Sequence, residues 1–236
     1  MNAARAVVRG LGELFITAGL VLLLFVAYQL IWTNVEAAQA QDEVSDGIAE
    51  SWSRQPSSTV AEPDAEAEPD DTVKLSRADF GKGFAFLRIP RLGEDFKVPV
   101  VEGVRTSDLS RGVGHYPKSA APGQVGNFAV AGHRATKGEP FRKLDRMRRG
   151  DAIVVETRTT WLTYVVDDTR IVTPQDTWVV NPVPGKRNVK PTKRLLTLTT
   201  CHPRWASTHR MIVFAHLESK KSKKDGAPAA LMASGG

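Results

Sequence analysis

Leu195-Leu196-Thr197-Leu198-Thr199-Thr200-Cys201, the loop His202-Pro203-Arg204-Trp205-Ala206-Ser207-Thr208-His209, and then Arg210-Met211-Ile212-Val213-Phe214-Ala215-His216-Leu217 form the stretch that decides how this chain folds. Two runs rich in Leu, Thr, Val and Ile, separated by polar residues, predict a β-hairpin. Alternation places Leu195, Thr197, Thr199 and Cys201 on one face of the first strand and Leu196, Leu198 and Thr200 on the other. The returning strand places Arg210, Ile212 and Phe214 together. Paired around the loop, Cys201 and Arg210 stand opposite each other at its mouth, with Cβ atoms about 5 Å apart.

Cys201 is the chain's only cysteine, so it forms no internal disulfide and no Cys-rich metal site. It is a buried small residue, an intermolecular link or a catalytic thiol. A permanent cation beside the sulfur favours thiolate and stabilises an oxyanion. The plain alternative is a packed cysteine beside a solvated arginine. A thiol that cleaves an amide also needs a proton donor for the departing amine, usually histidine. Of five histidines, His133 ends the apolar run Asn127-Phe128-Ala129-Val130-Ala131-Gly132, and strand ends are where catalytic groups commonly sit. His202 adjoins the thiol but points to the other face of the strand. His115, His209 and His216 lack comparable context.

Outward from the hairpin, short strands are predicted over 84–89 and 96–101 around a turn at Gly93. Others follow over 127–132 after Pro122-Gly123, and over 152–157 and 161–166, the last extending toward Val172. Pro/Gly-punctuated strands of this length point to an all-β sandwich or barrel, with one short helix over 140–149. About 140 residues suffice for one domain with a real core, here placed at 81–219.

The ends read differently. Residues 14–32 are an uncharged apolar run, about 28 Å long as a helix and close to the thickness of a hydrocarbon core. Tyr28 and Trp32 sit toward its far end, where amphipathic rings favour the interface. Arg5 and Arg9 precede it, so residues 1–13 are expected in the cytoplasm and the rest outside, as a single-pass protein. Ala38-Gln39-Ala40 resembles a signal-cleavage site, but the apolar run exceeds the usual length of a signal sequence and favours an uncleaved anchor. Residues 33–80 are poor in large apolar side chains and are expected to be an acidic disordered tether, with part of 36–52 open to a helix that shows no convincing apolar stripe. Residues 220–236 are expected to be a disordered basic tail. Residues 34–71 hold eleven acids and one base, whereas 72–236 carry a net charge of +15. A basic domain behind an acidic tether suggests anionic surroundings such as a membrane surface, wall polymer or nucleic acid, and charge alone names no partner.

Ala131-Gly132-His133-Arg134, then Thr197-Leu198-Thr199-Thr200-Cys201, then Arg210 resembles the sortase family, over roughly 84–217. Gly112-Val113-Gly114-His115-Tyr116-Pro117, Pro122-Gly123-Gln124-Val125-Gly126-Asn127-Phe128 and Cys201-His202-Pro203-Arg204-Trp205 look most like class E, the housekeeping-type sortases of actinobacteria. The resemblance implies a closed eight-stranded β-barrel with one or two short helices. It also implies a cysteine transpeptidase that cleaves the Thr–Gly bond of a Leu-Pro-X-Thr-Gly or Leu-Ala-X-Thr-Gly sorting signal on secreted proteins. Cys201 would be the nucleophile, His133 the acid and base, and Arg210 the group that holds substrate and oxyanion. Tyr116 would help select alanine over proline in the signal, and Thr200 would assist substrate binding. The amine of the wall precursor lipid II would resolve the thioester. A pilin-polymerising sortase would use a lysine amine instead and often carries a lid, but Asp79-Phe80 lacks the proline of a lid motif. An L,D-transpeptidase would show a Ser-His-Gly-Cys-like run, absent here, and a non-catalytic membrane-tethered barrel is the remaining alternative. Family calcium sites lie by the loop before the cysteine strand; here 174–194 has Asp176 as its only acid, so no metal or cofactor is expected. No nucleic-acid partner is expected.

Overall fold

The hairpin sorts its side chains as its alternation requires. Leu196 and Leu198 from one strand and Met211, Val213 and Ala215 from the other are buried in one core. The computed structural model describes residues 2–54 and 82–232. Its strands are β1 (Gly83–Arg88), β2 (Lys97–Glu102), β3 (Val113–His115), β4 (Gly126–Ala131), β5 (Ala152–Glu156), β6 (Thr160–Val172), β7 (Arg194–His202) and β8 (His209–Ser222). They close into a barrel in the order β1-β2-β3-β4-β7-β8-β6-β5, which leaves no unpaired sheet edge. β2 with β3 and β4 with β7 pair in parallel; the other neighbours are antiparallel. The all-β closed barrel is the architecture the residues imply.

Inward-facing Val, Leu, Ile and Phe fill the barrel, with Phe128, Val130, Ile153, Val155 and Tyr164 among them. Where a helix is expected over 140–149, the chain makes a single 3-10 turn, Leu144–Arg146. Phe141, Leu144 and Met147 from that segment plug the core. β3 is the strand that alternation does not reveal, since Val113–His115 is three residues long. Its central Gly114 is a close-approach position: a Cβ there would lie 2.2 Å from the Gly103 carbonyl oxygen and 2.6 Å from Leu109 Cδ2. That carbonyl cannot swing away cheaply, because the Gly103 amide is tied to the His115 carbonyl at 3.0 Å.

Among the described residues, 33–54 and 220–232 are ordered where disorder is expected. A single helix, α1 (Asn2–Arg54), carries the apolar run and continues 22 residues beyond it; it is long and apolar enough to cross a membrane. Its second half docks on the barrel through a stripe of Ala37, Gln41, Val44, Ile48 and Trp52, spaced to share one helix face. Val44 and Ile48 are buried with Phe86 and Val101, and Trp52 meets Phe86 edge-on at 5.5 Å. The stripe escapes a reading of the sequence because it mixes alanine and glutamine with its few large apolar residues and lies among Asp42, Glu43, Asp46 and Glu50. Ordering that is unfavourable for the segment alone is offset by burial against β1 and β2. The tether expected over 55–80 lies outside the described residues. At the other end, β8 runs to Ser222 and is followed by a 3-10 turn, Lys223–Asp225, and a short helix, α2 (Ala229–Met232). Lys223 binds Glu156 at 2.7 Å and lies over Trp52 at 4.2 Å, so the basic tail fastens α1 to the barrel over part of its length.

Gly114→Ala should cost about 1–3 kcal/mol, the usual penalty for forcing a methyl into a filled site. Thermal unfolding followed by circular dichroism should show a midpoint lowered by several degrees, and an unchanged midpoint would contradict the close approach of β3 to Gly103.

Candidate active site

The site is built where β4 and β7 end side by side. Their parallel register pairs Asn127 with Leu195, Ala129 with Thr197 and Ala131 with Thr199. Two further bonds carry that register past the end of β4. The Gly132 amide donates to the Thr199 carbonyl at 3.1 Å, and the Thr200 hydroxyl donates to the Gly132 carbonyl at 2.7 Å across a sequence separation of 68. The same separation of 68 lies between His133 and Cys201, each the next residue along its chain. On the other side of β7, Cys201 pairs with Arg210 of β8 and His202 with His209. Cys201 and Arg210 are therefore cross-strand neighbours, and His133 follows the end of the strand that runs parallel to the one carrying Cys201.

His133 is half-buried. Phe141 packs against Gly132, where a Cβ would meet its ring at 2.6 Å, and the Phe141 amide donates to the His133 carbonyl at 3.0 Å. This bond closes 133–141 into a loop. His133 Nε2 is buried and has no hydrogen-bond partner among the described residues. Burial, helped by the charge of Lys137, pulls the His133 pKa below its ordinary value, so the imidazole is mostly neutral near pH 7.

Arg210 holds the paired position opposite Cys201, while its Nη1 donates to the carbonyls of Ser207 at 3.1 Å and His209 at 2.9 Å. The guanidinium braces the β7–β8 loop at the lip of the site. Thr200 faces away from Cys201, as alternation requires, and its proton is committed to Gly132, so its place is at the β4–β7 junction. The Thr199 hydroxyl donates to the Val130 carbonyl at 3.3 Å, which leaves its oxygen to accept from the Tyr116 hydroxyl at 3.0 Å. Tyr116 thereby lies across β7 on the face that carries Cys201.

Four residues play parts that sequence patterns did not assign. Arg134 is buried; its Nη1 donates to His202 Nδ1 at 2.7 Å and approaches the Cys201 carbonyl at 3.4 Å, while Nη2 meets Asp145 at 3.2 Å. Arg204 Nε donates to the Arg134 carbonyl at 3.2 Å, and Arg204 also pairs with Glu139. Together these bind the loop after His133 to the loop after Cys201. An arginine directly after the candidate histidine was the available signal. Asn127 accepts from Thr197 at 2.8 Å and donates to the carbonyls of Val179 and Asn181 at 3.2 and 3.0 Å, pinning the β6–β7 connection over the outer face of β7. Beneath that connection lies a cavity of about 290 Å³ lined by Leu195, Thr197, Phe214, Trp178 and Val183. Thr197 is four residues before Cys201 on the same face, about 13 Å along the strand. Among the described residues, no three His, Cys, Asp or Glu side chains converge in a group that would hold a metal ion.

The Sortase domain family profile matches residues 87–218. Sortase SrtE1 of Streptomyces coelicolor is 39% identical over 98% of this chain, and the match spans 63% of that relative's length. The solved sortase E of Streptomyces avermitilis is 48% identical, with a TM-score of 0.59 over 64% of this chain and 98% of the other. Sortase E1 of Streptomyces coelicolor, solved with a tripeptide in the active site, is 41% identical with a TM-score of 0.59 over 64% of this chain and 97% of the other.

The environment of His133 has a measurable consequence. Its imidazole resonances should titrate below the ordinary histidine midpoint of about 6.5, and Lys137→Gln should move the midpoint upward by removing the like charge. A wild-type midpoint at or above the ordinary value would contradict the burial described.

Proposed function

This chain belongs to the sortase family of cysteine transpeptidases, and from that membership we propose that it is a membrane-anchored enzyme that joins sorting-signal proteins to a cell-wall amine. The observation that supports the reading is the parallel register of β4 with β7, extended by the Thr200–Gly132 bond, together with the pairing of Cys201 with Arg210. The apolar part of α1 would cross the membrane with Arg5 and Arg9 in the cytoplasm, and the barrel would work outside. Residues 1–13, 14–32 and the barrel from about 82 onward are then the cytoplasmic, spanning and catalytic parts.

The chemistry follows from the arrangement. Cys201 Sγ attacks the carbonyl carbon of the threonine in a Leu-Ala-X-Thr-Gly or Leu-Pro-X-Thr-Gly signal. The oxyanion forms within reach of Arg210, the C–N bond to glycine breaks, and His133 gives its proton to the leaving amine. The thioester retains enough free energy for transfer without ATP. The incoming amine, that of lipid II in this reading, gives a proton to His133 and attacks the thioester carbon. The C–S bond breaks and the thiolate returns. The lowered pKa of His133 suits the second half, in which a neutral imidazole accepts a proton, and it makes the imidazolium needed in the first half scarce. Slow turnover is the expected result. The apolar cavity beside Leu195, Thr197 and Phe214 would receive the part of the signal upstream of the scissile bond. Tyr116, fixed on Thr199, would stand where the second residue of the signal is read.

Cys201→Ala should abolish cleavage of a Leu-Ala-X-Thr-Gly peptide with an unchanged melting profile, whereas intact cleavage would sink the assignment. Arg210→Ala should lower kcat/KM about 10²–10³-fold, the usual cost of losing an oxyanion donor. Wild type should prefer the Leu-Ala-X-Thr-Gly peptide over its Leu-Pro counterpart, and Tyr116→Ala should narrow that preference. Equal wild-type rates on the two peptides would remove the role of Tyr116 while leaving the transpeptidase standing.

A further inference from the structure

We propose that the rim carrying His133 and Cys201 lies against the anionic phospholipid headgroups of the bilayer that α1 crosses, so that the enzyme works inside the interfacial layer; this rests on the anchoring reading above. The apolar run ends at Trp32, and α1 continues unbroken to Arg54. Asn34 is two residues on, a rise of about 3 Å. Its Oδ1 accepts from the Gly138 amide at 3.1 Å, and its Nδ2 donates to Glu139 at 3.2 Å. The helix also lies flat against that loop, since a Cβ on Gly138 would meet Gln41 at 2.3 Å and Ala37 at 3.4 Å. The headgroup layer adds about 5–7 Å on each side of the hydrocarbon core. The contact therefore falls within it.

The loop so held is the one that runs from His133 to Phe141 and is closed by their backbone bond. Glu139 also pairs with Arg204, three residues after Cys201, and Arg204 stacks on Trp205 at 4.5 Å. Both loops that flank the histidine–thiol pair are thus tied, through one carboxylate, to the first turn of helix beyond the membrane. The surface they present has the composition of an anionic interface. Lys137, Arg142, Lys143 and Arg204 surround Glu139 in sequence or in space, with Arg142 at 3.7 Å from its carboxylate. Trp205 is 67% exposed, and a solvent-facing tryptophan beside cations favours the headgroup layer. Reactive groups held close to a bilayer, on tethered proteins or lipid-linked amines, would meet the site at this height.

Spin-label depth measurements on the full chain in lipid nanodiscs test the arrangement, with α1 as the ruler. Cys201→Ser removes the native thiol, and single labels are placed by Leu24→Cys, Ala206→Cys and Glu50→Cys. Glu50 lies about 27 Å along the helix from Trp32. In discs with 30% phosphatidylglycerol, the ratio of oxygen to water-soluble nickel accessibility should be highest at Leu24, intermediate at Ala206 and lowest at Glu50, with Ala206 several-fold above Glu50. Arg142→Glu with Lys143→Glu, or pure phosphatidylcholine discs, should bring Ala206 down toward Glu50. An Ala206 label as aqueous as Glu50, with Leu24 immersed, overturns this inference and leaves the anchor standing. An aqueous Leu24 label overturns the anchor itself. An Ala206 ratio indifferent to lipid charge overturns the choice of anionic headgroups as the occupant.

Discussion

β4 and β7 run side by side in the same direction, Ala131 opposite Thr199, although more than sixty residues of chain separate them. Parallel neighbours cannot be joined by a tight turn, so the chain must leave β4, build β5 and β6 on the far side of the barrel, and return. The C-terminal ends of both strands then face the same rim. That arrangement directs the end of β4, which His133 follows, and the end of β7, which carries Cys201, toward the same rim. The Thr200–Gly132 bond extends the ladder by one residue, which is the residue that matters. A slip of one position would turn Cys201 toward the core and Thr200 toward the groove.

Electrostatics follow from how the rim is closed. Burial of the His133 imidazole, with the charge of Lys137, disfavours the imidazolium and lowers its pKa. The cations of the rim are placed differently from one another. Arg210 grips loop carbonyls beside the thiol, while the buried Arg134 binds His202 and Asp145 and joins the two loops from beneath. One arginine pairs across from the thiol strand and the other ties the two loops together. Glu139 draws Arg204 and Asn34 to the same point, so α1 is tied to the loops that follow His133 and Cys201.

Much of this was legible from residue types. Alternation located seven strands within a residue or two at most ends, and it assigned the faces of β7 and β8 correctly, because each strand buries one side in a single core. The pairing of Cys201 with Arg210 followed from the hairpin and was found in the register. β3 was not legible, since three residues containing a glycine carry no period and owe their place to Gly103 and Leu109. The docked half of α1 was missed because its stripe becomes apolar enough only when Phe86 and Val101 are supplied by the barrel. Arg134 and Glu139 were passed over because their partners, His202 and Arg204, come close only after the parallel pairing has formed. The roles of Tyr116 and Thr200 came from family resemblance, and their contacts are distinct: Tyr116 bridges to the groove face, whereas Thr200 secures the strand junction.

Covalent capture is the most direct measurement of the central claim. The protein would be mixed with a Leu-Ala-X-Thr-Gly peptide in the absence of an added amine, quenched in acid and digested for mass spectrometry. A transpeptidase of this kind should carry the peptide through its threonine, as a thioester on Cys201, and an added amine should discharge it as the amide. Cleavage of the peptide with Cys201 unmodified at every time point, or an adduct on any other residue, would contradict it.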